Sequence, residues 1–120
     1  MRFLQQLLLI LSFIGSSSVA LGHAVVTHNS LKLTPVPVNL ASRVELSFNS
    51  KVELDLSEVF LVSVGDVMTP INAIHGDKPG QVLLELPALQ PGEYAIKLKI
   101  FAADGHLSED LLRFFVKEPK

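Results

Sequence analysis

Along residues 43–48 (RVELSF) polar and apolar side chains alternate, setting Val44, Leu46 and Phe48 on one face. Alternation with a period of two marks a half-buried strand. Residues 59–64 and 82–86 (VLLEL) are short apolar runs of strand length. Residues 94–100 place Tyr94, Ile96, Leu98 and Ile100 on one face and Lys97 and Lys99 on the other, and residues 111–116 make a last strand. Turn residues punctuate these runs at Thr34-Pro35-Val36-Pro37, at Thr69-Pro70, across residues 75–80 (HGDKPG) and at Gln90-Pro91-Gly92. Apart from residues 55–60, which have the composition for one helical turn, nothing carries a helical period. Short strands separated by turns predict an all-β sandwich or barrel of about seven strands.

Residues 89–94 read L-x-P-G-x-Y, similar to the tyrosine corner of immunoglobulin-like Greek-key β-sandwiches. In that motif the hydroxyl bonds backbone just upstream. The same turn without a corner is an ordinary Pro-Gly turn ahead of a strand that carries Tyr94.

The first 22 residues stand apart. Arg2 is followed by an apolar run over residues 7–14, broken by Ser12, and then by small residues ending Ala20-Leu21-Gly22. That sequence of regions reads as a cleaved secretory signal peptide. The run falls short of the roughly 20 apolar residues a membrane span requires. The domain is therefore expected at residues 23–120, exported and not inserted in a membrane after cleavage. A cut after Ala20 is the rival and would leave Leu21-Gly22 ahead of His23.

Export changes the charge. Arg2, one of 10 basic residues, leaves with the leader while all 12 acidic residues stay, so the net charge moves from −2 to −3. No basic footprint for nucleic acid and no polybasic membrane patch remains. The chain has no cysteine, which excludes a thiolate metal site and with it a blue-copper electron carrier.

Candidate chemistry rests on four histidines: His23, His28, His75 and His106. Cleavage after Gly22 makes His23 the first residue, where its α-amine and imidazole can close a chelate ring. Imidazole suits Cu(II), Ni(II) and Zn(II), and among divalent first-row ions Cu(II) binds tightest. Asp104-Gly105-His106 is the second candidate. In an extended segment residues i and i+2 share a side, so Asp104 and His106 can face one ion. With His23 they form a tetragonal N/O set suited to Cu(II). Taken alone, D-G-H is equally a polar β-turn. His28 falls on the other face of an extended strand from His23, His75 belongs to a Gly/Pro turn, and Met68 reads as a packing residue.

The order of His23-Ala24, V-E-L-S-F, L-x-P-G-x-Y and A-A-D-G-H resembles the CopC family of periplasmic copper-resistance proteins. The resemblance implies an immunoglobulin-like β-barrel or sandwich with a Cu(II) site made by the N-terminal His and a D-x-H motif, which here are His23, Asp104 and His106. It also implies periplasmic copper homeostasis without catalysis, and an inner-membrane copper importer of the CopD type as partner. Three departures stand out. The exported chain has one methionine, Met68, where family members with a Cu(I) site carry a Met-rich segment. No proline follows Asn29 or Ser30 until Pro35. The family's F-S-E reads Phe48-Asn49-Ser50. Two other functions are open to the sequence. One is a histidine-brace enzyme resembling polysaccharide monooxygenases, although the chain has no Trp and one Tyr for binding sugar. The other is a metal-free module for adhesion or assembly.

Overall fold

A computed structural model describes residues 24–118. These form eight strands: β1 (Val26–Asn29), β2 (Ser42–Phe48), β3 (Val52–Ser63), β4 (Val67–Pro70), β5 (Ala73–His75), β6 (Gln81–Leu86), β7 (Gly92–Ala102) and β8 (Leu107–Val116). Two four-stranded sheets face each other, ordered β1-β2-β6-β5 and β4-β3-β7-β8, with every neighbour antiparallel. The chain crosses between them after β2, β4 and β6. This is the expected all-β sandwich. The leader, residues 1–22, and His23 lie outside the described residues.

The alternating positions fill the space between the sheets. Leu46, Val82, Leu84 and Ile96 are fully shielded from solvent, and Val44, Leu98, Ile100 and Val116 nearly so. Each such side chain contributes about 1.5–3 kcal/mol on burial. In a domain without disulfides, this apolar packing is the main source of stability.

The expected tyrosine corner is present. The Tyr94 hydroxyl donates to the Gln90 carbonyl at 2.8 Å, and its ring stacks on Phe114 with centroids 5.7 Å apart. The Asn39 N–H donates to the Leu89 carbonyl beside it, tying the long β1–β2 connection to the corner.

Two local readings differ from expectation. Residues 55–60 form no helical turn and belong to β3, whose pairing with β7 slips between Glu53 and Glu58. Ser57 fills the irregularity: its hydroxyl donates to the Glu53 carbonyl and accepts from the Phe101 N–H. A side chain thus replaces a ladder bond, and the exposed Leu56 faces solvent. Thr69-Pro70, read as a turn, instead ends β4, an edge strand exposed along its length. Proline is tolerated there because an edge strand leaves one row of N–H groups unpaired.

Candidate metal centre

The segment joining β7 to β8 is a tight turn. The Ala102 N–H donates to the His106 carbonyl and the Gly105 N–H to the Ala102 carbonyl, both at 2.9 Å. Gly105 takes φ = +91°, a conformation that side-chain-bearing residues rarely adopt. Asp104 then reaches forward over the glycine. Its Oδ1 accepts the His106 N–H at 3.1 Å, and its Oδ2 lies 3.0 Å from Nδ1 of the His106 ring. Extended-strand geometry would set these two side chains on one side. The structure brings them together through an Asx turn, which draws the two groups closer than i, i+2 neighbours on a strand.

Both side chains face solvent, Asp104 at 41% and His106 at 55% exposure. The Asp104 carboxyl is held below the usual carboxylate range, first by the His106 backbone N–H and then by the His106 ring. It is therefore an anion across the neutral range. An imidazole that donates from Nδ1 to a carboxylate carries its lone pair on Nε2, the arrangement by which carboxylates orient metal-binding histidines. The same spacing also suits direct ligation: two donors about 2.0 Å from one ion and at right angles are about 2.8 Å apart. A hard carboxylate and an imidazole side by side match a divalent cation of the Cu(II) or Zn(II) kind.

Among the described residues, no group of three or more His, Cys, Asp or Glu side chains is arranged to hold a metal. Asp104 and His106 supply two donors, and His23 is the third residue the sequence proposed. The turn between β2 and β3, residues 49–51, touches both the segment just ahead of β1 and the D-G-H turn. Asn49 exchanges two bonds with Val25: Val25 N–H to Oδ1 at 2.8 Å, and Asn49 N–H to the Val25 carbonyl at 3.0 Å. Two residues on, the Lys51 carbonyl accepts the Ala103 N–H at 2.9 Å. Ala24 is buried in the core cluster.

The other candidates fall elsewhere. His28 is exposed on β1 opposite Ser47. His75 ends β5, exposed, and lines a cleft of about 320 Å³ with Lys51, Glu53 and Asp77. Met68 is exposed on β4 and is not the packing residue expected. Asn49 is an unexpected contact for the segment ahead of β1. Its one mark in the sequence is the departure from F-S-E at Phe48-Asn49-Ser50.

No curated protein matches the chain in sequence. Among solved structures it is similar to CopC from Methylosinus trichosporium OB3b, with 24% identity and a TM-score of 0.65 over 79% of this chain and 94% of that one. It is also similar to PcoC, a methionine-rich copper resistance protein from Escherichia coli, with 19% identity and a TM-score of 0.56 over 79% and 99%. These likenesses show the shared sandwich. The CopC domain model matches residues 35–117, and the chain belongs to the CopC family.

Proposed function

We propose that the exported protein binds one Cu(II) ion at the end of the sandwich where the N-terminal segment meets the D-G-H turn. His23 contributes its amine and imidazole, and Asp104 and His106 complete the set. The observation that carries this reading is the Asp104–His106 pair, two solvent-facing donors 3.0 Å apart. Its turn is bonded to the same short segment that holds Val25, two residues after His23. Membership of the CopC family and the likeness to PcoC, a copper resistance protein, support the choice of copper.

The protein works in the periplasm, in copper homeostasis or resistance, and passes its ion to an inner-membrane importer of the CopD type. It prefers Cu(II) to Cu(I), because soft Cu(I) requires thioether or thiolate ligands and the exported chain has only Met68. It carries copper without catalytic turnover. The single tyrosine, which a sugar-oxidising reading would need as a platform, is engaged with the Gln90 carbonyl and the Phe114 ring.

The test is intact-mass analysis of the exported protein followed by Cu(II) titration, with and without His106→Ala. A start at His23, one equivalent of Cu(II) and a tens-fold or greater loss in the variant are expected. A start at Leu21, or binding unaffected by His106→Ala, overturns the site.

A further inference from the structure

The N-terminal segment enters the fold at a poorly laddered place. Regular pairing of β1 with β2 begins at Val26 opposite Phe48, and the register slips before His28. Ahead of that point Val25 lies outside the strand, half exposed, with no further strand residue to hold it. Its backbone is instead held by Asn49, whose Oδ1 takes the N–H and whose own N–H reaches the carbonyl. Asn49 is itself fixed from both sides. The preceding Phe48 N–H donates to the Gly80 carbonyl at 2.8 Å, and Lys51 carries the Ala103 N–H of the D-G-H turn.

We infer that Asn49 is a positioning residue for copper: its side-chain clamp on Val25 sets where the N-terminal residue stands relative to Asp104 and His106. This deepens the copper-site reading and rests on it. Each residue left unfixed at a chain terminus retains backbone freedom worth about 1–2 kcal/mol, and a site that uses the terminus must suppress that freedom when the ion binds. The clamp fixes the Val25 backbone without the ion. The chemistry needs a short side chain with an acceptor. Asp preserves both features, while Leu preserves only the volume.

The test compares Asn49→Leu, Asn49→Asp and His106→Ala with the wild type in the processed, exported protein. Three quantities are read: Cu(II) affinity by chelator competition, the electron paramagnetic resonance spectrum of the bound ion, and exchange of the Val25 amide in the metal-free protein. Asn49→Leu is expected to speed Val25 exchange, weaken Cu(II) about three- to tenfold, as the loss of one net hydrogen bond implies, and broaden the spectrum. Asn49→Asp should recover Val25 protection and the sharp spectrum. The added charge alone can raise affinity, so recovery is judged on those two readouts. Thermal melting is recorded because a purely structural residue would shift it and leave the spectrum alone. If His106→Ala weakens binding and Asn49→Leu changes neither affinity nor spectrum, the clamp role is wrong and the copper site stands. The clamp role is equally wrong if Asn49→Asp behaves as Asn49→Leu in exchange and spectrum. If His106→Ala itself changes nothing, the copper site fails and the inference fails with it.

Discussion

Strand β7 begins and ends at turns of similar size that treat their polar side chains in opposite ways. At the start, residues 89–94 turn the tyrosine back on the fold: the hydroxyl bonds the Gln90 carbonyl and the ring packs on Phe114. At the other end, residues 104–106 aim a carboxylate and an imidazole outward at each other in solvent. Both turns depend on a glycine with positive φ, Gly92 at 157° and Gly105 at 91°. The difference lies in what the polar groups satisfy. The first turn spends its donor on backbone and holds the fold, whereas the second keeps its donors at the surface, where an ion can reach them. Stability and binding should therefore separate along one strand.

The strongest challenge to that separation lies between the two turns. Ile96 on β7 is fully buried, and Ile96→Ala should destabilise the fold by about 2–5 kcal/mol, the usual cost of the lost contacts and the cavity left. Copper affinity in the remaining folded protein should be unchanged. Urea unfolding and Cu(II) titration of one sample measure both. A variant with native stability would mean that β7 is not anchored where its burial indicates.

His106→Ala tests the other half. The side chain is more than half exposed, so stability should move by no more than about 0.5 kcal/mol. Cu(II) affinity should fall tens-fold or more, about 2 kcal/mol. Tyr94→Phe should do the reverse, costing about 1 kcal/mol for the hydrogen bond to Gln90 and leaving Cu(II) binding intact. A Tyr94→Phe protein with weakened copper binding would show that the two ends of β7 are coupled and that stability and binding do not separate along it.

The two turns were unequally legible in the sequence. L-x-P-G-x-Y could be read as a corner because its acceptor lies four residues before the tyrosine, within one local motif. The alternating strands were legible for a similar reason: Val44, Leu46, Ile96 and Leu98 declare their burial by period alone. D-G-H could be read as a pair, but its geometry could not, because an Asx turn and a strand both bring i and i+2 to one side and only the φ of Gly105 distinguishes them. The Val25–Asn49 clamp was not legible. It joins residues 24 positions apart, and only closure of β1 on β2 makes them neighbours. The Ser57 insertion in β3 was hidden likewise, since its second partner, Phe101, lies 44 positions away. His23 is marked by the cleavage pattern alone, which locates a terminus and carries no information on the fold around it.

The smallest effect concerns acid. The folded protein holds the Asp104 carboxyl below its ordinary value of 3.8, with the His106 backbone N–H as the larger cause and the His106 ring as the lesser. A carboxyl with a depressed folded-state pKa adds stability that is fully present above the unfolded value and lost as pH falls through the folded one. The loosening of this turn is therefore confined to pH below about 3.8, and the metal-free turn should be insensitive to pH across the neutral range as far as Asp104 is concerned. Solvent exposure keeps the contribution small. The two causes can be separated, because His106→Ala removes the ring and keeps the N–H. The Asp104 titration, followed by carboxyl ¹³C shifts in the metal-free protein, should then move only part of the way back toward 3.8. A full return would mean that the ring, and not the Asx-turn N–H, holds the carboxylate. Asp104 would then be oriented by its partner imidazole, and the turn would lose its claim to be pre-set before the ion arrives.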